Sequence, residues 1–138
     1  MSWAAEYLNI PFVPKGRTRA GVDCYGLVRL IYAEQLGIEL PSYTEDYATI
    51  HDTIEIEALL RGETATRWKE IPLVSATMFD GLIFRIVGHP KHFGLITSAP
   101  QFIHAMRNED QITGRVTTNR FDSILWRHRL VTAVRYQR

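Results

Sequence analysis

Hydrophobic residues recur with helical spacing in the first half of the chain and gather in short β-forming blocks in the second half. After Cys24, the apolar side chains that share one face of a helix are Leu27, Val28, Ile31 and Leu36. Asp23 is suited to cap the first turn, whereas Gly37 and Pro41 are suited to end the helix. The pattern therefore predicts a helix over about 24–36.

The remaining elements follow from the same kind of pattern. The segment 3–8 predicts a short helix, and the acidic segment 44–61 predicts a peripheral helix. Four blocks rich in β-forming residues predict strands at 82–87, 92–97, 101–106 and 130–136. Because short turns separate several of these blocks, they favour an antiparallel sheet. We therefore expect an α+β fold in which a central helix packs against this sheet.

Composition narrows both the architecture and the class of partner. A chain of 138 residues, 46% of them hydrophobic, is expected to form one domain over 1–138. The 16 basic and 15 acidic side chains give a net charge of +1, so no large field of one sign is expected. Several arginines lie near the C-terminus, namely Arg120, Arg127, Arg129, Arg135 and Arg138. They are better explained as solvated charges that protect a sheet edge than as a nucleic-acid surface.

The start of the chain and its hydropathy indicate where the protein is made. Residues 1–7 lack the basic start and apolar run of a signal peptide, and no apolar stretch is long enough to cross a bilayer. We therefore expect synthesis in the cytoplasm as a soluble protein, without a signal peptide and without membrane insertion.

Cys24 is the only cysteine in the sequence, which excludes an internal disulfide. A thiol attacks carbonyl carbons as its thiolate, and the N-terminus of a helix lowers the pKa of a cysteine placed there. The free backbone N–H groups of the first turn can also bind a developing oxyanion. The position of Cys24 therefore predicts a nucleophile, with an inert buried thiol as the alternative.

Two histidines on neighbouring predicted strands are candidates for the base. If the loop around Pro100 contains an odd number of residues, His104 lies opposite Gly94 and its ring shares a face with that of His92. An even loop without a bulge places the two rings on opposite faces. In the first register, His104 orients His92 and leaves the other ring nitrogen of His92 for Cys24.

Four segments, in this order, resemble the NlpC-type cell-wall cysteine peptidases, a circularly rearranged branch of the papain-like fold. They are 21–28 (Gly-Val-Asp-Cys-Tyr-Gly-Leu-Val), the helix end at 32–41, 92–95 (His-Phe-Gly-Leu) and 102–105 (Phe-Ile-His-Ala). The resemblance implies that Cys24 is the nucleophile, His92 the general base and His104 the residue that orients the base. It also implies hydrolysis of peptidoglycan stem peptides, typically between D-glutamate and diaminopimelate, through a thioester and with no metal or other cofactor.

The segments that flank the motif carry a narrower resemblance. Residues 11–17, Tyr25 and the region 36–43 are similar to peptidases encoded in phage tail modules and in phage-derived particles such as gene transfer agents. This resemblance implies tail-tip or baseplate proteins as partners, assembly into a phage or phage-like tail, and action at the cell wall or in the periplasm. Such a protein needs no signal peptide because the particle carries it to the wall.

We expect five residues to contact the substrate: Asp23, Arg17, Arg19, Tyr25 and Gly94. Arg17 or Arg19 is suited to bind a stem-peptide carboxylate through its planar guanidinium group. Many members of the family have a tyrosine shortly before the cysteine loop, where this sequence has Phe12 and the two arginines. The sequence also has Asp80-Gly81 where the family has the reverse order, and a turn is expected there in either case.

Two other interpretations of the same residues stay open. The ligands of a zinc site would be Cys24, His92 and His104, with Asp23 or His89 as the fourth. Closely spaced ligand pairs are missing apart from 89–92, so we expect no metal. The other interpretation is a structural tail-tip component with a peptidase-like fold and little or no activity.

Overall fold

The computed structural model describes residues 3–40, 68–86, 89–107 and 113–137. The peripheral helix that the sequence predicts over 44–61 lies outside these residues. Within them, the longest helical segment lies before residue 40 and the long strands come after residue 68. This order agrees with the change in hydrophobic pattern between the two halves of the chain.

The central helix forms with two geometries. Helix α1 spans Cys24–Ile31, and the chain continues as a π-helix over Tyr32–Leu36. Asp23 caps the first turn because its carboxylate accepts a hydrogen bond from the backbone N–H of Gly26 at 2.7 Å. Gly37 ends the segment with φ 67°, a left-handed conformation that glycine adopts without a steric penalty. The predicted span of 24–36 is confirmed, whereas the π-helical turn was not predicted.

The strands of the described residues form two antiparallel sheets. They are β1 (Arg17–Thr18), β2 (Gly21–Val22), β3 (Trp68–Ile71), β4 (Gly81–Ile86), β5 (His89–Ser98), β6 (Gln101–Arg107), β7 (Gly114–Arg120) and β8 (Leu130–Tyr136). Strands β1 and β2 pair with each other, and the large sheet has the order β3-β8-β4-β5-β6-β7. The four predicted strands are confirmed. The pattern missed β1 and β2, which have two residues each, β3, which is short, and β7, in which Val116 is the one large apolar residue.

Alternate residues of the large sheet enter two apolar clusters, which therefore lie on opposite faces. The helix-side cluster joins α1 to one face and includes Leu27, Val28, Ile31, Ile83, Phe93 and Ile103. The far-side cluster includes Leu82, Phe84, Ile96, Phe102 and Trp126. Helix α1 packs against β5 and β6. The predicted α+β architecture, a helix on an antiparallel sheet, is confirmed.

The chain on either side of this core is held by local contacts. The helix predicted over 3–8 forms as a 3₁₀ helix over Trp3–Tyr7. The segment after it bridges β7 and β2, through Pro11 and Phe12. The turn expected before β4 also forms, and the carboxylate of Asp80 accepts a hydrogen bond from the backbone N–H of Thr77 at 2.8 Å. The loop that leads into α1 is thus fixed at both ends.

Candidate active site

The hairpin between β5 and β6 brings His92 and His104 onto one face of the large sheet. Its turn has an even number of residues, at 99–100, but the register shifts at 96–98. On the other side of this irregularity, Leu95 pairs with Ile103. Continuing the pairing by one residue places Gly94 opposite His104. The predicted shared face is therefore confirmed, through a register shift rather than through an odd loop.

The two imidazoles form the centre of a hydrogen-bonded chain, which we call the imidazole relay. Nε2 of His92 lies 2.6 Å from Nδ1 of His104, and Nε2 of His104 lies 2.8 Å from Oδ1 of Asn119 on β7. His104 is fully buried and His92 is 7% exposed. Side chains from three strands thus make one line of hydrogen bonds, in which Nδ1 of His92 takes no part.

Aromatic rings enclose the imidazole relay. The short helix α2 (Ile124–Arg127) carries Trp126, which stacks on the ring of His92 with centroids 5.9 Å apart. The same indole meets the ring of His104 edge-on at 4.8 Å, and Phe102 lies 4.5 Å from His104. Trp126 is 2% exposed and therefore shields the hydrogen bond between the imidazoles from solvent.

Burial lowers the pKa of both imidazoles. Desolvation lowers the pKa of His104 from 6.5 to about 4, although the hydrogen bond with Asn119 opposes the shift. The pKa of His92 falls well below 6.5, first through desolvation and then through the positive charges of His104 and Arg129. Both rings are therefore neutral at pH 7, and each offers one N–H donor and one acceptor nitrogen.

Cys24 begins the helix that packs on the strands of the imidazole relay. It is the first residue of α1 and is 4% exposed. Helix α1 contacts both β5 and β6, which carry His92 and His104. The free N–H groups and the dipole of a helix N-terminus favour negative charge at this position. The local structure therefore suits a thiol that must become a thiolate. The ring of His92 lies against Trp126, a residue of the far-side cluster, so the approach of the thiol to Nδ1 of His92 stays a prediction.

A charged network, which we call the Arg17–Asp23 network, surrounds this N-terminus. Nη1 of Arg17 lies 2.6 Å from Oδ1 of Asp23 and also donates to the carbonyl oxygen of Gly16 at 3.0 Å. The other carboxylate oxygen of Asp23 accepts a hydrogen bond from the backbone N–H of Lys15 at 3.0 Å. The guanidinium lies over the ring of Tyr25, 5.6 Å from its centroid. The network ties the loop before Cys24 to the first turn of α1.

Two glycines permit close approaches around the site. A Cβ atom at Gly26 would collide with the backbone carbonyl of Gly16, so glycine lets the loop lie directly on α1. A Cβ atom at Gly94 would lie 2.9 Å from Cδ2 of Phe102 and 3.3 Å from the carbonyl oxygen of Ile103. The missing side chain of Gly94 thus makes room for a ring of the neighbouring strand.

The residues predicted to contact substrate near α1 fall into two groups. Arg17, Asp23 and Tyr25 belong to the Arg17–Asp23 network, in which Asp23 and Tyr25 are each 1% exposed. Arg19 pairs instead with Glu34, its Nη2 lying 2.7 Å from the carboxylate. The structure therefore brings three of these residues together and directs Arg19 to the π-helical segment. Their contact with a substrate stays a prediction.

The sequence interpretation missed Asn119 and Trp126. Asn119 lies on β7, a strand that the hydrophobic pattern did not reveal, and Trp126 lies in a helix too short to show a period. A signal for Asn119 was available, because an asparagine is a residue that can orient an imidazole paired with a cysteine. Its use required the pairing of β6 with β7, which the sequence does not encode locally.

Neither a metal-binding cluster nor a membrane-spanning helix occurs among the described residues. Residues 3–40, 68–86, 89–107 and 113–137 hold no group of three His, Cys, Asp or Glu side chains that could bind a metal ion. The zinc interpretation thus gains no support there, and the side chain of His89 lies outside what the structure describes. None of the helices in those same ranges is both long and apolar enough to span a membrane.

Two curated relatives are similar along most of this chain. A gamma-DL-glutamyl hydrolase of Bacillus subtilis strain 168 is 25% identical over 134 residues, which are 96% of this chain and 28% of that protein. A murein DD-endopeptidase MepS/murein LD-carboxypeptidase of Escherichia coli K12 is 26% identical over 105 residues, which are 76% of this chain and 47% of that protein. The chain therefore spans less than half the length of either relative.

A solved structure and a family match agree with these relatives. The NlpC/p60 domain of the peptidoglycan hydrolase SagA superposes with a TM-score of 0.62 and 23% identity, covering 96% of this chain and 92% of that domain. The two proteins thus share a fold. Residues 9–135, nearly the whole chain, match the NlpC/P60 family. The order of the cysteine and histidine segments had indicated the same family, and the chain belongs to the NlpC/P60 family.

Proposed function

We propose that this protein is a cysteine peptidase that hydrolyses peptidoglycan stem peptides. The imidazole relay carries the proposal, because buried polar groups are expensive and a packed core does not need two hydrogen-bonded imidazoles. Cys24 supplies the nucleophile, at the N-terminus of the helix that packs on β5 and β6. Family membership and the murein endopeptidase among its relatives support the same class of reaction.

In the proposed reaction, Nδ1 of His92 takes the proton of the Cys24 thiol as the sulfur attacks the scissile carbonyl carbon. The carbonyl π electrons move to oxygen, and backbone N–H groups at the start of α1 stabilise the resulting oxyanion. The C–N bond then breaks, its nitrogen takes the proton from His92, and the amine leaves a thioester on Cys24. Water gives a proton to His92 as it attacks the thioester, and collapse returns that proton to the departing thiolate.

The low pKa of His92 suits a base that must be neutral before the reaction. Because desolvation disfavours the imidazolium form, the ring is available to accept a proton at neutral pH. The negative charge that develops on sulfur and on the oxyanion then stabilises the imidazolium, since an opposite charge nearby favours the charged form. Proton transfer and attack on the carbonyl are therefore coupled, and His104 holds His92 in place during both.

The substrate bond that we propose joins D-glutamate to diaminopimelate in the stem peptide. The resemblance of the motif segments supports this bond, as does a relative that bears the name of a glutamyl hydrolase. A stem-peptide carboxylate matches the fork of donors on a guanidinium, which Arg17 and Arg19 provide near α1. Asp23 and Tyr25 hold Arg17 in position for this contact, and the backbone of Gly94, opposite His104, is the proposed contact beside the imidazoles.

We further propose that a phage or phage-like tail carries the protein to the wall, in contact with tail-tip or baseplate proteins. The resemblance of the flanking segments is the support for this part of the proposal. A structural tail-tip component with the same fold and little activity is the alternative. The intact imidazole relay favours the enzyme, because a purely structural domain gains little from two buried, hydrogen-bonded imidazoles.

Mass spectrometry of the muropeptides released from purified peptidoglycan tests the function. The wild type is expected to release fragments with new termini at the D-glutamyl–diaminopimelate bond, and Cys24→Ala is expected to release none. Thr118→Val serves as a matched control, since it changes a half-buried strand residue outside the proposed site. A folded wild type that releases no fragments would favour the structural alternative, and equal release by Cys24→Ala would rule out the nucleophile.

A further inference from the structure

We propose that Asn119 is a positioning residue that fixes the tautomers of both imidazoles and thereby leaves the lone pair of His92 Nδ1 available for the thiol. The inference rests on the proposed function, in which His92 is the base for Cys24. It adds a fourth side chain to the Cys24, His92 and His104 set, from a strand that carries none of the other three.

Asn119 forms the end of the relay that lies on β7. Oδ1 of Asn119 is a carbonyl oxygen, which accepts hydrogen bonds and cannot donate them. It lies 2.8 Å from Nε2 of His104, so that nitrogen must carry the proton. The low pKa of His104 keeps the ring neutral, and a neutral imidazole has one N–H only. His104 is therefore in its Nε2–H form, and its Nδ1 is an acceptor.

The second imidazole follows from the first. Since Nδ1 of His104 has a lone pair and lies 2.6 Å from Nε2 of His92, the proton between them belongs to His92. His92 is neutral as well, so its Nδ1 carries no proton. If the hydrogen bonds ran in the opposite direction, Nδ1 of His92 would carry a proton and could not accept one from the thiol in the proposed reaction. The amide of Asn119 therefore determines which nitrogen of each imidazole carries the proton.

The sheet fixes the position of Asn119 relative to His104. Asn119 pairs with Phe102 in the register between β6 and β7, and His104 pairs with Thr117. Asn119 therefore stands diagonally across from His104 on the same face of the sheet. The indole of Trp126, edge-on to His104 at 4.8 Å, limits the water that could replace the amide. Arg129, which lies over the indole, is the nearby charge that acts on the relay, and it disfavours protonation of His92.

Nitrogen NMR of the histidine rings tests the inference without reference to activity. In the wild type at pH 7, His104 is expected to be protonated at Nε2 alone and His92 at Nε2 alone. Asn119→Leu, which keeps the size of the side chain and removes the acceptor, is expected to populate both tautomers. Thr118→Val, the next residue on β7 and on the opposite face, is the control and is expected to keep the wild-type pattern. A wild-type His104 protonated at Nδ1 would overturn the inference.

Kinetics supply a second test. Asn119→Leu is expected to lower kcat about 10- to 100-fold with little change in KM, because a base in the wrong tautomer cannot accept the proton. Asn119→Asp keeps an acceptor and adds a negative charge that raises the pKa of His104. It is therefore expected to shift the acid limb of the activity profile to higher pH and to recover near wild-type activity at alkaline pH. A folded Asn119→Leu with wild-type kcat would overturn the inference.

The two tests separate this inference from the proposed function. If the wild type does not cleave peptidoglycan, the proposed function is wrong. The NMR pattern would still show whether Asn119 fixes the tautomers of the two imidazoles. If the wild type cleaves but Asn119→Leu keeps both the wild-type tautomers and the wild-type kcat, the function stands and the role of Asn119 is wrong.

Discussion

The Arg17–Asp23 network and the imidazole relay are both polar and largely buried, yet they differ in charge and in the way the chain connects them. The first joins a guanidinium and a carboxylate, 2.6 Å apart, within the segment that enters α1. The second joins neutral groups of three strands, and its hydrogen bonds are 2.6 and 2.8 Å long. One network is charged and local in sequence, whereas the other is neutral and assembled by the sheet.

Because they differ in charge, the two networks are suited to different roles. Removing one partner of a buried ion pair leaves the other charge without compensation, so such a pair resists change and fixes the loop before Cys24. A neutral relay of imidazoles can accept a proton and return it with little movement of atoms. In the proposed mechanism, the first network positions Cys24 and the second moves protons.

The largest effect on stability is expected from Asp23→Ala. The change leaves the guanidinium of Arg17 buried without its carboxylate and removes the cap of α1, so the free energy of unfolding should fall by about 3 to 5 kcal/mol. Urea unfolding followed by circular dichroism measures it. Asp122→Ala, in an exposed pair with Arg120, should leave the midpoint unchanged. An equally small shift of the urea midpoint in both variants would show that the Arg17–Asp23 network does not stabilise the fold.

A smaller effect is expected from acid, and it tests the neutral relay. The pKa of His104 is about 4 in the folded protein against 6.5 for an unburied imidazole, so the unfolded chain binds more protons between these values. The free energy of unfolding should therefore fall by up to about 3 kcal/mol as the pH drops from 6.5 to 4. His92, whose pKa is also lowered, adds to the effect with the same sign.

Above pH 5, the loss of stability can be assigned to the imidazoles rather than to Glu34. The pKa of Glu34 is lowered below 4.5, first by its hydrogen bond with Arg19, so that carboxylate adds a loss of stability only in more acidic solution. Urea midpoints at pH 6.5, 5.75 and 5 should therefore report the imidazoles. His104→Gln should show a shallower slope over that interval, and an unchanged slope would remove His104 as its cause.

The smallest effect on stability is expected from Arg19→Ala. Its ion pair with Glu34 is about half exposed, so its loss should lower the free energy of unfolding by about 0.5 kcal/mol. If Arg19 binds a stem-peptide carboxylate, KM should rise several-fold while kcat stays the same, because a ground-state contact is lost. Glu34→Ala breaks the same pair and should leave KM unchanged. Equal KM values for the two variants and the wild type would exclude Arg19 from substrate binding.

The sequence predicted the caps of the central helix but not the ion pair of Arg17 with Asp23, since both residues were expected to contact the substrate. Asp23, Cys24 and Gly37 lie within one helix and its caps, and local spacing is enough to place them. The strands were predicted from blocks of apolar residues, which is why β7, with Val116 as its single large apolar residue, escaped notice. Strands that are stabilised by pairing with their neighbours rather than by their own hydrophobic pattern cannot be predicted from the local sequence.

The imidazole relay was predicted in part for a related reason. The shared face of His92 and His104 depended on an odd loop or a bulge, and the chain takes the bulge, at 96–98. Nothing in the local sequence distinguishes these outcomes, since both satisfy the same alternation of apolar residues. Asn119 and Trp126 enter the site only through the packing of β7 and α2. Such contacts are properties of the folded sheet and have no short-range signature.

The most direct test of the account is the pH dependence of Cys24 acylation, followed by mass spectrometry of the thioester in single turnovers. With His92 as the base, the wild-type rate should stay high at neutral pH and fall only well below pH 6.5, because burial lowers the pKa of His92. In His92→Ala the thiolate must form without a base, so the rate should be about 1000-fold lower at pH 7 and rise with pH as the thiolate forms. Two profiles with the same shape and magnitude would contradict the assignment of His92 as the base for Cys24.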